Sequence, residues 1–486
     1  MGKSAENSSE DKYILLIIAI SLASFMSSLD GTIVNIALPS ISEAFDLSSS
    51  SVSWVATSYL LVMAGCVLIF GKISDIIGFK KVFLTGFVVF TAGSFACGFL
   101  PDFFNSFYLL IGSRIFQGAG GAMITAIAPA MVAAYISSEK KGKAMGIIMT
   151  VAALGMAIGP TVGGFLTQYL SWHWIFFINV PVGIAAVILG AGVIPSSSSK
   201  RKESLKGFDK YGAALIFTGL AALLFAVSEG QSLGWTSPEI ILSFAIAFIA
   251  ICGFVCNEMR AKDPLLEIRL FKDLNFVNLN LIIALLFLGF AGVNYLMPFY
   301  LQYVLGYDTS AAGLILTSLS FAMMVSGIIA GILFNRTGGK LLCIAAALII
   351  TAGYFMMTHL HTDTGALFVI ACLVLIGLGL GLMVTPGMNM ILNMADKKYH
   401  GMVSGLTSLE RFAPMTIGIA IFNFIFIEGI LKVASYRGVT MQAPANIKLE
   451  VLAAGFDLAF LGSFIVGVII LVLAFLIKNE KISGSN

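Results

Sequence analysis

The sequence predicts an all-α polytopic membrane protein with fourteen transmembrane helices, built as two six-helix bundles and an inserted helix pair. Of its 486 residues, 58% are hydrophobic and 11% are charged, whereas about 25% of the residues in soluble domains are charged. Apolar runs long enough to span a bilayer recur along the chain, and Lys and Arg cluster in every second connector. A soluble core of this composition would leave too much apolar surface exposed to water.

Each predicted span contains the roughly 20 apolar residues that a helix needs to cross a bilayer. Short polar connectors separate most of the spans. Numbered 1 to 14, the spans cover residues 13–38, 51–70, 82–100, 106–136, 144–169, 174–194, 211–229, 238–257, 276–302, 311–334, 341–358, 365–394, 401–431 and 453–477.

The distribution of basic residues predicts the orientation of these spans. The connectors on one side, together with both terminal tails, hold 23 of the 28 Lys and Arg residues. Cytoplasmic loops carry such an excess of positive charge. We therefore predict that both termini are cytoplasmic and that the protein resides in the cell (plasma or inner) membrane.

A weak internal repeat indicates two related halves. The connectors after spans 2 and 10 both follow the pattern G-x-[IL]-x-[DN]-x-x-G-x-K, starting at Gly71 and Gly331. Parallel six-helix halves are one architecture of secondary transporters. The predicted regions are a cytoplasmic tail (1–12), an N-terminal bundle (13–194), a cytoplasmic linker (195–210), inserted helices 7 and 8 (211–257), a second linker (258–275), a C-terminal bundle (276–477) and a cytoplasmic tail (478–486).

Span 5 is crowded with residues that break helices in water. Gly155, Gly159 and Gly163 recur every four residues, which leaves a bare face that another helix can approach closely. Pro160 lacks a backbone N–H group and bends the helix, and Gly164 extends the stretch of small residues. We predict that this bent span forms a close helix contact in a protein that moves.

Two charged residues lie deep within spans 1 and 4. Asp30 is centrally placed in span 1, where a carboxylate costs about 2.5–3.5 kcal/mol and should face a cavity or a partner. Arg114 in span 4 needs a carboxylate or several carbonyl groups as partners. Each residue can be a static structural contact or part of a site that handles protons or substrate.

Glu410 and Arg411 interrupt span 13. Adjacent helical residues point about 100° apart, so these two side chains cannot satisfy each other side-on. Pro414 shares a face with Glu410 and could open a cavity beside it. A carboxyl group in such a low-dielectric cavity can lose and regain a proton near neutral pH. Glu410 is therefore a second candidate for proton or cation handling.

The connector after span 2 holds a candidate conformational latch. Gly71 and Gly78 predict a tight turn, and the Asp75 carboxylate can cap a helix or pair with Lys80 or an arginine. Such a contact could hold one conformation of the protein.

Several kinds of site are missing from the sequence. The six cysteines all fall within apolar spans and form no disulfide or metal framework, and the four histidines have at most weak metal-ligand spacing. The chain contains no G-x-x-x-x-G-K-[ST] phosphate loop and no evident pair of nucleophile and base. We therefore predict neither an enzyme nor a bound cofactor or metal.

Three motifs, in this order, resemble signatures of the major facilitator superfamily. They are the G-x-[IL]-x-D-x-x-G-x-K sequence from Gly71, the R-x-x-Q-G-x-G sequence from Arg114 and the G-x-x-x-G-P-x-x-G-G sequence from Gly155. The last is similar to the antiporter signature of the drug exporters in that family. With the extra helix pair, the chain resembles the fourteen-helix drug:proton antiporter branch.

The resemblance implies roles for the candidate residues. Asp75 would steady the outward-facing state, Arg114 would take part in proton coupling, and the glycine-rich span 5 would favour export. Asp30 and Glu410 match positions at which related exporters carry membrane carboxylates.

The predicted function is proton-coupled export of amphiphilic, cationic drugs by alternating access. The partners are such drugs, protons and the lipid bilayer, without nucleic acid, and the protein is expected to be a monomer driven by the proton gradient. The alternatives are a symporter or facilitator for a small organic solute on the same fold, and a receptor or scaffold that transports nothing. A scaffold would have no need of the buried Asp30, Arg114 and Glu410.

Overall fold

The computed structural model describes residues 2–136, 138–195, 209–261, 265–394, 400–437 and 445–478, and within these ranges the chain is almost entirely helical. Fourteen of its helical segments are long and apolar enough to cross a membrane, each matching one predicted span. The predictions of an all-α fold and a multi-pass membrane protein are confirmed.

The helices of the first eight spans are labelled α1 to α8 in chain order. The sixth is two consecutive helices that meet at Ile178 and are together called α6. Their bounds are α1 (Gly2–Ala44), α2 (Ser49–Ile77), α3 (Phe79–Phe104), α4 (Phe107–Tyr135), α5 (Ser138–Tyr169), α6 (Trp174–Phe177 and Asn179–Val193), α7 (Lys210–Leu233) and α8 (Pro238–Glu258).

The remaining six spans follow a short 3-10 helix at Ile268–Lys272. The ninth span ends in a π-helical turn, Tyr300–Val304. Their bounds are α9 (Leu274–Phe299), α10 (Thr309–Thr337), α11 (Gly339–Met357), α12 (Ala366–Met394), α13 (His400–Arg437) and α14 (Ala445–Leu476).

Glycines at equivalent positions of the internal repeat end α2 and α10. Gly78 and Gly338 have φ angles of 92° and 78°, a backbone conformation that side chains disfavour. Their N–H groups donate to carbonyl oxygens four residues earlier, which satisfies one acceptor at the end of each helix. The predicted tight turn from Gly71 is wrong, because α2 continues as a helix through Gly71 and only Gly78 turns the chain.

The two sets of six helices pack in the same way. In the first set α1 packs on α5, α3 on α4, α2 on α4 and α3 on α6. The corresponding pairs in the second set are α9 with α13, α11 with α12, α10 with α12 and α11 with α14. This pattern agrees with two parallel repeats, although the exact regional boundaries remain a prediction. We call helices α1–α6 the N-terminal half and α9–α14 the C-terminal half.

Two seams join the halves, formed by α5 with α10 and by α2 with α13. Under the repeat, α5 corresponds to α13 and α2 to α10, so the two seams are equivalent. The inserted helices α7 and α8 pack on each other, and α7 also contacts both α2 and α13. Glu229 of α7 accepts a hydrogen bond from the indole of Trp54 in α2. Helix α7 of the inserted pair therefore lies across one seam.

We expect Gly78→Ala to lower the stability of the protein, because its φ of 92° would place a side chain in a strained conformation, a cost of order 1–3 kcal/mol. Gly71→Ala is the matched control, since Gly71 is helical and no atom lies within 4 Å of an added Cβ. Thermal unfolding in detergent would measure both. Equal melting temperatures for the two variants would contradict the assigned backbone conformation.

Candidate functional site

A buried ion pair joins α1 to α4. Arg114 Nη1 lies 2.8 Å from Asp30 Oδ2, and the two side chains are 1% and 0% exposed. The Arg114 Nε group donates to the Val55 carbonyl oxygen of α2 at 2.9 Å. The structure thus supplies both kinds of partner that a buried arginine requires, a carboxylate and a backbone carbonyl.

Amide side chains complete the network around this pair. Gln117 Nε2 donates to Asp30 Oδ1 at 2.9 Å, and Gln117 Oε1 accepts from Arg114 Nη1 at 2.7 Å. Asn179 Nδ2 of α6 also donates to Asp30 Oδ1, at 3.2 Å. Both amides reach Ser94 Oγ of α3 at 3.1 Å. The network therefore links α1, α2, α3, α4 and α6, five of the six helices of the N-terminal half.

The ring of Tyr59 covers the arginine from α2. Its centroid lies 4.1 Å from Arg114 Cζ, a distance at which an aromatic face attracts a cation. Phe176 lies further away, with its ring centroid at 5.6 Å. Gln117 belongs to the motif that starts at Arg114, but its bond to Asp30 was not predicted, and Asn179, Ser94 and Tyr59 were given no role, because a polar residue in an apolar span does not reveal which charge it meets.

A cavity between the two halves borders the ion pair. Its volume is about 10 Å³, room for about one water molecule. Its lining comes from α1, α2 and α4 on one side and from α9 and α13 on the other: Asp30, Gly31, Val34, Asn35, Ala56, Tyr59, Leu60, Arg114, Ala291, Asn294, Met415 and Ile419.

Two asparagines face this cavity from equivalent positions of the repeat. Asn35 and Asn294 are 7% and 6% exposed, and Asn294 Nδ2 makes no hydrogen bond to any described residue. The sequence analysis missed both. A second repeat could have found them, since Val34–Pro39 and Val293–Pro298 share the pattern V-N-x-x-x-P.

The predicted close approach of the glycine-rich helix is confirmed, and its partner is α1. A Cβ atom on Gly155 would lie 2.7 Å from the Phe25 carbonyl oxygen, and one on Gly163 would lie 2.7 Å from the Ile36 side chain. A Cβ on Gly159 would collide with the hydroxyl of Thr32. The glycine face therefore lets α5 lie directly against α1, next to the segment that carries Asp30.

The other side of α5 meets α10 and closes one end of the molecule. A Cβ on Gly164 would lie 2.5 Å from the Thr309 carbonyl oxygen, and one on Gly313 would collide with the Pro160 carbonyl. The hydroxyls of Thr161 and Thr317 lie 2.5 Å apart. At the two glycines the helices touch backbone to backbone, and the Thr161–Thr317 pair adds a hydrogen bond between side chains.

Further cross-half hydrogen bonds lie at the same end, which is the face opposite to the two chain termini. Gln302 donates to the Ile36 carbonyl and Tyr303 to the Pro39 carbonyl, both at 3.3 Å. Tyr295 of α9 donates to the Ser49 carbonyl at the start of α2. The described conformation is therefore closed at the face away from the termini.

Glu410 and Arg411 both lie on α13, and the structure does not bring them together with Asp30. They form no ion pair with each other among the described residues. Glu410 Oε2 is buried without a hydrogen-bond partner in the described part of the chain. The roles of both residues remain predictions.

The structure describes only part of the predicted latch. The Asp75 side chain lies outside the described residues, so its contacts stay a prediction. Lys80 Nζ donates to the Ala191 carbonyl at the end of α6, at 2.7 Å. Lys80 thus bonds within the N-terminal half, next to the turn at Gly78.

Comparison with known proteins gives a family and several relatives. The family model of the Major Facilitator Superfamily matches residues 20–419. The multidrug transporter protein MdtP of Bacillus subtilis (strain 168) is 33% identical over 426 residues, which cover 87% of this chain and 77% of MdtP.

Two further relatives are named as a riboflavin transporter and as a multidrug resistance protein. The riboflavin transporter RibZ of Clostridioides difficile (strain 630) is 32% identical over 425 residues, covering 87% of this chain and 90% of RibZ. The multidrug resistance protein Stp of Mycobacterium tuberculosis (strain CDC 1551 / Oshkosh) is 32% identical over 413 residues, covering 85% of this chain and 75% of Stp.

We expect Asp30→Asn to destabilise the protein by about 3 kcal/mol, because removing one partner leaves a buried charge uncompensated. Chemical or thermal unfolding in detergent would measure the change. Asp363→Asn, an exposed position in the connector after α11, is the matched control. If the two variants unfolded alike, the ion pair would not be what stabilises the N-terminal half.

Proposed function

The chain belongs to the Major Facilitator Superfamily, and we propose that it exports positively charged amphiphilic compounds by alternating access, driven by proton entry. Membership of a transporter family confirms the prediction that the protein is a transporter and not an enzyme. The observation that carries the proposal is the buried Asp30–Arg114 pair at the edge of a cavity between the two halves.

The direction of transport is inferred from two features. Relatives about 30% identical to this chain, MdtP and Stp among them, are named for multidrug transport or resistance. The Gly155–Gly164 stretch of α5 lies in the seam that closes one face of the molecule, against α1 on one side and α10 on the other. Close backbone packing allows such helices to slide and rock as rigid bodies.

The orientation follows from the basic connectors. With both termini in the cytoplasm, the closed face is extracellular, and transport in this proposal also requires an inward-facing conformation in which the opposite face is open. A cationic amphiphile could then reach the cavity from the cytoplasm or the inner leaflet. Opening the α5–α10 contact and closing the opposite face would release it outside.

Proton entry supplies the free energy in this proposal. A gradient of roughly 150 mV is worth about 3.5 kcal/mol per proton, since 100 mV is worth about 2.3 kcal/mol per charge. That is enough for a concentration ratio of a few hundred. Asp30 and Glu410 are the two candidate proton carriers, the first held by Arg114 and two amides, the second without a partner on Oε2.

Transport of one specific organic solute is the alternative function. It is favoured by the relative named as a riboflavin transporter and by the two neutral amides, Asn35 and Asn294, in the cavity. Such amides recognise polar, uncharged groups through paired donors and acceptors. In that case uptake or release of a single compound would replace export of many.

We expect amphiphilic cations such as ethidium to evoke proton release from energised everted vesicles that contain the wild-type protein. Asp30→Asn or Glu410→Gln should abolish this release, because a neutral amide cannot exchange a proton. A fluorescent pH probe inside the vesicles would record it. Asp363→Asn, which is exposed, is the control and should behave as wild type.

The two substitutions also show which of the two residues, Asp30 or Glu410, carries the proton. Full drug-evoked release in Glu410→Gln would remove that residue from the mechanism and leave Asp30. Absence of release with every member of a broad drug panel would contradict proton-coupled export.

We expect Gly159→Leu to abolish export while leaving membrane insertion intact, because the leucine cannot fit against Thr32 in the α1–α5 contact. Gly146→Leu is the matched control on the same helix, since no atom lies within 4 Å of a Cβ at that position. Ethidium efflux and the amount of protein in the membrane would be measured together. Normal efflux by Gly159→Leu would show that the contact only packs two static helices.

A further inference from the structure

Arg411 is a cation at the seam between the halves, and it has no acidic partner among the described residues. Its Nη2 group lies 3.7 Å from the sulfur of Met156 in α5. Its Cζ atom lies 5.8 Å and 5.4 Å from the ring centroids of Phe287 and Phe412. Arg411 Nε is buried and donates to no described atom.

Neither Asp30 nor Glu410 serves as the acidic partner of Arg411. Asp30 is occupied by Arg114, Gln117 and Asn179. Glu410 precedes Arg411 on the same helix, points about 100° away from it, and leaves its own Oε2 without a partner.

The face of α13 that carries Arg411 is the face that borders the cavity. Met415 and Ile419, four and eight residues further along the helix, both line it. The contact with Met156 shows that the guanidinium reaches across to the N-terminal half. Arg411 therefore lies about one helical turn from the cavity lining, on the side of the chain termini.

A cation in this position is costly unless an anion joins it. The two phenylalanine rings offset part of that cost, as aromatic faces attract a guanidinium. Arginine is also the side chain whose forked donors fit a carboxylate in a bidentate way. Asn294 Nδ2, which faces the same cavity, is a second buried donor without an acceptor. Arg411 Nε and Asn294 Nδ2 both lack an acceptor among the described residues.

We propose that Arg411 is the subsite for an acidic group on the transported compound, so that the substrates include amphiphiles that carry a carboxylate beside their positive charge. Asn294 offers a further donor to the same compound. This inference rests on the proposed function and extends its substrate class from cations to zwitterions. A cation without an acidic group gains nothing from Arg411.

A matched pair of dyes tests this assignment. Rhodamine 110 carries a free carboxyl group, and rhodamine 123 is its methyl ester, so the two differ only in that acid. Proton-driven export of each is measured in everted proteoliposomes made of phosphatidylcholine alone, which removes anionic headgroups as a competing occupant of Arg411. The proteins are wild type, Arg411→Gln, Arg411→Lys and Arg269→Gln, the last an exposed arginine outside the spans.

In Arg411→Gln we expect the KM for rhodamine 110 to rise at least tenfold, while the KM for rhodamine 123 stays within twofold of the wild-type value. In Arg411→Lys the KM for rhodamine 110 should lie between those of wild type and Arg411→Gln, because lysine keeps the positive charge but loses the forked pair of donors. Arg269→Gln should match wild type for both dyes. If Arg411→Gln proves unstable in detergent, Arg411→Lys alone still tests the assignment, because its KM should rise for rhodamine 110 and not for rhodamine 123.

Three results would overturn the assignment. In the first, the Arg411 variants lose export of both dyes equally. In the second, they lose export of neither dye. In the third, the wild type exports the ester but not the acid. The third would leave the proposed export function standing. A wild-type protein that exports neither these dyes nor any other amphiphile would instead overturn the proposed function, and this inference with it.

Discussion

The architecture of the N-terminal half depends on the need to satisfy charge inside a membrane. In the hydrocarbon region no water can replace a missing partner, so Arg114 gathers a carboxylate, a carbonyl and an amide around itself. Because those partners come from α1, α2 and α4, one charge constrains several helices at once. The same pair borders the cavity, so a change in its charge would act directly at the boundary between the two halves.

The C-terminal half has the same helix packing but a different distribution of charge. Asn294 corresponds to Asn35, and five residues before each of them lie Gly289 and Asp30. The second half thus has no counterpart of the aspartate. Its α13 instead carries Glu410 and Arg411 within the span, and neither forms an ion pair in the described part of the chain. One half holds a satisfied ion pair, and the other holds two charged side chains without an ionic partner among the described residues.

Along α5 and α10 the closest contacts between the halves are made by backbone, whereas tyrosine and glutamine side chains of the ninth span add hydrogen bonds to the N-terminal half. Gly164 and Gly313 bring α5 and α10 together, whereas large apolar residues fill the cores of the two halves. Contacts of small residues have little interlocking side-chain surface, so such a seam can separate with less repacking than an interdigitated core. Two well-packed halves joined by a contact of small residues suit a transporter whose binding site opens alternately to the two faces of the membrane.

The sequence alone determined the number of spans and the glycine face of α5, because apolar length and a four-residue period are local properties. Only the tertiary structure decided that Asp30 pairs with Arg114, 84 residues away, and that α2 runs on to Gly78. It also decided that Asn35 and Asn294 meet at one cavity. These facts depend on how helices distant in the chain pack against each other, and that arrangement is set by the whole fold and not by any single span.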